Sequence, residues 1–204
     1  MEGVLLDLLM AVMDSLATWS AAAGDEERGR RWRDAATAGM IAASRYVPYE
    51  DVVRRAAVET GLLPSATDAL IDRWDAMEPW PDAANLGKAI VPFGLVTNCS
   101  QGLARVAVGR SGARPRFVLS AEEAGWYKPH PLIYHEACRR LGTSPARTAF
   151  IAGSPFDADG AASAGLPAWF VRRRPEHTPQ RADVRIIRSL AEVGFIFGSG
   201  RSGT

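Results

Sequence analysis

The sequence predicts an α/β fold, a Rossmann-like parallel sheet with a helical segment inserted after its first strand. Three observations predict it. The stretch 147–174 reads as strand, helix, strand: Ala149-Phe150-Ile151-Ala152 is an apolar run stopped by Gly153, Ser154-Pro155-Phe156-Asp157 opens a small-residue helix reaching Gly165, and residues 166–171 are apolar again. Two strands joined by a short helix form a right-handed parallel crossover, and such sheets bind ligands at the carboxyl ends of their strands. Further short apolar runs at 3–6, 93–96 and 117–119 each end on a polar residue, and the block from 14 to 85 carries helical periodicity without a strand signal.

Taken in order, residues 3–6 are the expected central strand, with Asp7 at its carboxyl end and apolar residues continuing to Met13. Asp14 and Ser15 suit a helix start, so residues 16–23 are a helix ending near Gly24. Residues 26–46 are rich in Arg and Ala with helical spacing, and two more helices are expected at 49–60 and 66–77, divided by Gly61 and Pro64. The strand at 93–96 ends in Thr97-Asn98-Cys99-Ser100 and leads into a helix over 101–108. After the strand at 117–119, Lys128-Pro129-His130-Pro131 precedes a helix over 132–141. Ile186 and Ile187 are the expected last strand, residues 189–193 a last helical turn, and the Gly/Ser tail 198–204 is expected to be disordered. The resulting division is a core of 1–13 and 86–197, a helical cap of 14–85, and the tail.

Composition narrows the partners. With 204 residues, 47% hydrophobic, 23% charged and a formal charge of +1, the chain has enough apolar material for one core and no global field to attract nucleic acid or an anionic membrane. Arg172, Arg173 and Arg174 form a local basic cluster, expected at a solvated strand end. Cys99 and Cys138 lack metal-type spacing and are expected as reduced thiols of a cytoplasmic protein. The apolar N-terminus carries Asp7, has no preceding basic region and is too short to span a bilayer, so neither a signal peptide nor a membrane helix is expected. His130, His135 and His177 share no ligand spacing and read as surface or loop histidines.

The polar residues at the expected strand ends are Asp7, Thr97 with Asn98, Lys128 on the loop after Ser120, and Asp157. A carboxylate inside Leu5-Leu6-Asp7-Leu8-Leu9 is costly without a partner. An opposite charge about 4 Å away is worth roughly 4 kcal/mol at an effective dielectric of 20, so Lys128 nearby would keep Asp7 ionised. Structural roles also fit: Thr97 and Asn98 suit capping of the next helix, Asp157 suits an N-cap, and Tyr134 suits the core.

An aspartate, a hydroxyl, a lysine and a second aspartate at successive strand ends resemble the four motifs of the haloacid dehalogenase superfamily, most closely its L-2-haloacid dehalogenases. The segments that carry the resemblance are Leu95-Val96-Thr97-Asn98-Cys99-Ser100, Leu119-Ser120-Ala121-Glu122-Glu123 with Tyr127-Lys128-Pro129-His130-Pro131, and Ser154-Pro155-Phe156-Asp157-Ala158-Asp159-Gly160, together with Trp32-Arg33 and Trp80-Pro81-Asp82. The resemblance implies a cofactor-free, metal-free hydrolase with a helical cap and a small carboxylate as substrate. Asp7 would be the nucleophile, Lys128 its counter-charge, and Asp157 the group that holds Lys128 and orients water. Thr97 and Asn98 would bind the substrate carboxylate or the leaving group. Arg33 from the cap, Ser154 and Tyr134 would complete the polar contacts and Phe156 an aromatic wall. The first motif departs from the family: Leu9, Met10, Ala11 and Val12 stand where it has an aromatic or acidic residue and then Gly-Thr-Leu. Ala152 replaces an expected polar residue. Leu9 and Gly153 stand where a magnesium-dependent phosphatase of the superfamily needs acidic side chains. Those departures leave room for two other functions, strained-ring chemistry by intramolecular displacement and a catalytically impaired partner subunit. A homodimer is a further expectation from the resemblance.

Overall fold

The computed structural model describes residues 1–197, so the tail expected to be disordered, 198–204, lies outside the described residues. The six strands are β1 (Gly3–Asp7), β2 (Phe93–Thr97), β3 (Val118–Ser120), β4 (Thr148–Ala152), β5 (Ala168–Val171) and β6 (Arg185–Ile187). All pair in parallel in the order β3-β2-β1-β4-β5-β6. The chain runs from β1 outward to β2 and β3 and then crosses to β4 on the other side, so the strand order reverses beside β1. Connections part at that point and leave a crevice at the carboxyl ends. Asp7 is the last residue of β1 and pairs in register with Val96. β1, β2 and β4 are buried along their whole length, as a parallel sheet covered on both faces requires.

Four helices lie between β1 and β2: α1 (Ser15–Ala23), α2 (Glu26–Ala42), α3 (Tyr49–Glu59) and α4 (Ser65–Asp72). Asp14 caps α1 by accepting from the Ala17 N–H, and Asp25 caps α2 by accepting from the Arg28 N–H at 2.8 Å, which leaves Glu26 and Glu27 in the positive first turn of α2. Gly24 at φ 94° makes the sharp turn between the two. The helices close tightly because of Gly29, where a Cβ would stand 2.6 Å from the Ser20 Cα. Trp19 and Trp32 then meet edge to face at 4.6 Å, and Trp32 donates to the Val53 carbonyl. Trp74 ties this helical layer to the sheet layer by donating to the Leu103 carbonyl in α5 (Gln101–Ser111).

The remaining helices are α6 (Ala121–Ala124), α7 (Pro131–Leu141), α8 (Pro155–Ser163) and α9 (Gly194–Phe197). Several departures from the sequence reading have local causes. The helix expected to reach Tyr46 stops at Ala42, because Tyr46 turns away and its N–H donates to the Gly125 carbonyl. The helix expected over 66–77 breaks at Arg73 into a 3-10 turn, Trp74–Ala76, which orients Trp74 inward. Ser120, at the end of β3, starts the short α6 by accepting from the Glu123 N–H. Arg173, expected at a solvated strand end, tucks its side chain in, 7% exposed, and pairs with Asp82.

Replacing Gly29 with alanine is expected to push α1 and α2 apart, since backbone rather than a flexible side chain meets the new Cβ. Overpacking of this kind costs about 1–3 kcal/mol. A thermal denaturation midpoint unchanged from wild type would show that the helices do not need this close approach.

Candidate active site

The residues after Asp7 form a single π-helical turn, Leu8–Val12, which the sequence reading left without an element. Its closing bond runs from the Met13 N–H to the Leu8 carbonyl at 2.9 Å, and the Met10 N–H donates to Asp7 Oδ2 at 3.2 Å. One oxygen of Asp7 is thus held by its own loop. The other, Oδ1, accepts from Lys128 Nζ at 2.8 Å.

Lys128 is the hub. Its ammonium also donates to Asp157 Oδ2 at 2.6 Å and to the Val96 carbonyl at 3.4 Å, and the side chain is 2% exposed. Asn98 fixes its backbone from both sides: Asn98 Oδ1 accepts from the Lys128 N–H at 2.7 Å, and Asn98 Nδ2 donates to the Lys128 carbonyl at 3.1 Å. Tyr134 in α7 donates its hydroxyl to Asp157 Oδ1 at 2.6 Å and lies edge-on to Phe150. Burial alone would drive the Lys128 proton off, but Asp157 and Asp7 outweigh it and hold the ammonium above its ordinary pKa. Burial pushes the Asp157 carboxyl up to about 6 despite the attraction of Lys128. It also carries Tyr134 well above the ordinary phenol, which keeps the phenol a donor.

A second set of contacts braces the turn after Asp7. Trp80 donates Nε1–H to the Met10 carbonyl at 3.1 Å and its backbone N–H to the Val12 carbonyl at 2.9 Å. Arg173 donates to the Ala11 carbonyl at 2.6 Å and grips Asp82 through both Nη atoms at 2.9 Å, with its guanidinium over the Trp80 ring. Asp82 also accepts from the Ser189 hydroxyl and the Leu190 N–H. Burial works to raise the Asp82 carboxyl, yet Arg173 and Leu190 hold it below the ordinary value. From the opposite side, Gly153 packs directly on the turn, where a Cβ would come within 2.1 Å of the Met10 carbonyl carbon.

Asp7 opens onto a cavity of about 170 Å³ beneath the helices. Lys128, Asn98, Arg33, Ser15, Ser154 and His177 contribute its polar groups, and Leu9, Trp19, Met40, Tyr49 and Phe156 much of its apolar wall. Burial lowers the Arg33 pKa against the opposing pull of Asp34, and burial together with Arg33 lowers that of His177.

The structure therefore brings Asp7, Lys128, Asp157, Asn98 and Tyr134 into one hydrogen-bonded array and sets Arg33, Ser154 and Phe156 around the cavity. Three expectations change. Thr97 stays out of the cavity: it is fully buried, and its hydroxyl faces Cys99, 3.3 Å from Sγ and 3.5 Å from the backbone N. Asn98 commits both ends of its amide to the Lys128 backbone. Ser154, not Asp157, is the N-cap residue of α8, with Asp157 in the first turn. His177, read as a surface or loop histidine, lies half-buried in the loop after β5 and lines the cavity. Sequence reasoning missed the Trp80, Asp82 and Arg173 brace, whose one signal was Trp80-Pro81-Asp82 in a segment otherwise read as connection. The residues do not fit a divalent cation: Asp7 and Asp157 both point at the Lys128 ammonium, and Gly153 has no room for an acidic side chain. Among the described residues no group of three or more His, Cys, Asp or Glu is arranged as a metal site.

The model of the haloacid dehalogenase-like hydrolase family matches residues 1–165. The (S)-2-haloacid dehalogenase of Xanthobacter autotrophicus is 28% identical over 139 residues, 63% of this chain, and the matched part spans 55% of that relative's length. The (S)-2-haloacid dehalogenase 1 of Pseudomonas sp. (strain CBS-3) is 27% identical over 214 residues, which cover 94% of this chain and 92% of that one. Among solved structures, L-2-haloacid dehalogenase from Xanthobacter autotrophicus with chloropropionic acid covalently bound superposes with a TM-score of 0.80 at 20% identity, over 95% of this chain and 96% of that one.

Replacing Lys128 with alanine leaves two buried carboxylates facing each other without a cation. Breaking a buried ion pair in this way costs about 3–5 kcal/mol, so the variant is expected to lose that much in a urea titration. A loss below about 1 kcal/mol would mean that Lys128 is not the counter-charge of the pair.

Proposed function

The chain belongs to the haloacid dehalogenase-like hydrolase family, and we propose that it displaces a leaving group from the α-carbon of a small carboxylate through an ester on Asp7. The observation that carries this reading is the buried Asp7–Lys128–Asp157 array at the floor of a cavity with Arg33 in its wall. Residues 14–85, in this reading, act as a cap that closes the substrate away from bulk water. The names of the two dehalogenase relatives support a halide as the leaving group and an (S)-2-halo acid as the substrate.

Charge bookkeeping makes the sequence of steps reasonable. Two carboxylates around one ammonium leave the array with one net negative charge, which a carboxylate nucleophile needs. Attack by Asp7 on the α-carbon forms the C–O ester bond, breaks the bond to the leaving group and sends that charge out as an anion. Lys128 and Asp157 then remain as a balanced pair. Water adds to the ester carbonyl of Asp7, with Ser154 in the cavity wall as a polar group able to orient it, and one of its protons passes toward Asp157 by way of Lys128. Collapse of the tetrahedral intermediate then breaks the bond between the carbonyl carbon and the ester oxygen, which leaves as the hydroxyl of a 2-hydroxy acid after taking that proton, while Asp7 sheds its remaining proton to solvent and is again a carboxylate. An Asp157 carboxyl pushed up to about 6 accepts a proton far more readily than an ordinary aspartate. A cavity over Asp7 with an apolar wall and a few convergent polar groups supports an enzyme over a partner subunit.

Halide release from (S)-2-chloropropionate tests the reading. The wild-type chain is expected to free chloride with or without a chelator, and Asp7→Asn to free none above background. Chloride release that persists in Asp7→Asn would remove Asp7 as nucleophile. Activity is also expected to depend on pH through Asp157, which must be ionised to hold Lys128 and to take the proton. Because the folded carboxyl sits near 6, kcat/KM should rise as pH rises through about 6 and fall below it. A flat profile between pH 5 and 7 would contradict the role given to Asp157.

A further inference from the structure

In the wall of the cavity the thioether of Met10 accepts two hydrogen bonds. Arg33 Nη1 donates to Met10 Sδ at 3.0 Å, and the Ser15 hydroxyl donates to the same sulfur at 3.2 Å. The donors come from different helices, Ser15 from the first turn of α1 and Arg33 from α2, and converge on one point. All three residues line the cavity that Asp7 opens onto. A thioether sulfur is a weak acceptor, a poor match for a guanidinium and a buried hydroxyl. Ser15 is only 2% exposed, and the other side-chain contact of Arg33 is with Asp34, at the long distance of 3.5 Å.

A charged planar donor and a hydroxyl directed at one spot are what a carboxylate takes up through short, charge-assisted hydrogen bonds. We propose that Ser15 and Arg33 together form the seat for the substrate's carboxylate, and that the Met10 sulfur holds that seat until the substrate displaces it. This inference rests on the reading that the substrate is a small carboxylate. Met10 is suited to the part, because an unbranched side chain with three rotatable bonds can leave one contact and pack elsewhere in the cavity. Here the sulfur gives the half-buried Arg33 guanidinium and the buried Ser15 hydroxyl a partner in the cavity wall. Met10 also connects the seat to the nucleophile, since its own N–H holds Asp7 Oδ2. Binding strength is therefore set partly by how readily Met10 moves, and Ser15 becomes a substrate-binding residue.

The test is equilibrium binding of propionate, with propionamide as its uncharged counterpart, followed by NMR on wild type, Ser15→Ala and Met10→Leu. Ser15→Ala is expected to weaken propionate about tenfold, the effect of losing one hydrogen bond to a charged group. Met10→Leu, which removes the competing acceptor and keeps the apolar bulk, should tighten propionate several-fold. Neither should change propionamide comparably. Unchanged propionate binding in Ser15→Ala, weaker binding in Met10→Leu, or no propionate binding to wild type would each overturn the proposal. Chloride release measured on the same samples separates the two readings. A chain that binds propionate through Ser15 yet frees no chloride refutes the displacement chemistry and leaves the seat intact. A chain that frees chloride while Ser15→Ala binds propionate as wild type does refutes the seat alone.

Discussion

One ammonium held between two carboxylates, all three buried, is the constraint on which the centre of this molecule depends. Burial of that kind is poor evidence for stability, because desolvation of three charges offsets most of their attraction. It is better understood as a cost carried for what it does to proton affinities. Lys128 stays charged because both carboxylates face it, and Asp157 holds its proton more tightly than an ordinary aspartate because it is buried. The surrounding contacts follow from this. Tyr134 supplies a donor to the Asp157 oxygen that Lys128 does not reach, and Asn98 pins the Lys128 backbone so that Nζ stays centred. The sheet supplies the rest, by ending β1 and β2 side by side where the strand order reverses.

The turn after Asp7 solves a related problem. Leu8–Val12 is apolar, without a side chain to cap its carbonyls, so those carbonyls need donors from elsewhere. Trp80 and Arg173 provide them, and Gly153 leaves the turn room to lie flat against β4. A side chain at 153 and this turn cannot coexist. The same packing that shapes the turn after Asp7 thus leaves no room for an acidic side chain at 153.

Much of this was legible in the sequence because it is local. Asp7 ending an apolar run, Lys128 between Tyr127 and Pro129, and Asp157 opening a small-residue helix each stand out against their neighbours, and strand ends gather at one edge of a parallel sheet. What was not legible depends on long-range pairing or on side-chain direction. Thr97 sits at a strand end like Asp7, but strand alternation and the turn at Cys99 direct its hydroxyl inward. Arg173 lies in a run of three arginines, and nothing local distinguishes it from its neighbours. Only the fold, by bringing Asp82 across from ninety-one positions earlier, tucks its side chain in. The π-helical turn was equally hidden, since five apolar residues in a row fit strand, helix or turn alike. Helix boundaries missed by a few residues, as at Ala42 and Arg73, reflect single tertiary contacts overriding periodicity.

The brace on Ala11 joins segments far apart in the chain. The acceptor follows β1, whereas its donor is Arg173, beyond β5, and the donors that complete Asp82 are Ser189 and Leu190. The family match ends at residue 165, before β5, β6 and all of these groups. Residues 1–165 contain β1 to β4 but not the arginine that secures the turn after Asp7. The geometry of the turn after Asp7 therefore depends on groups that lie beyond β5.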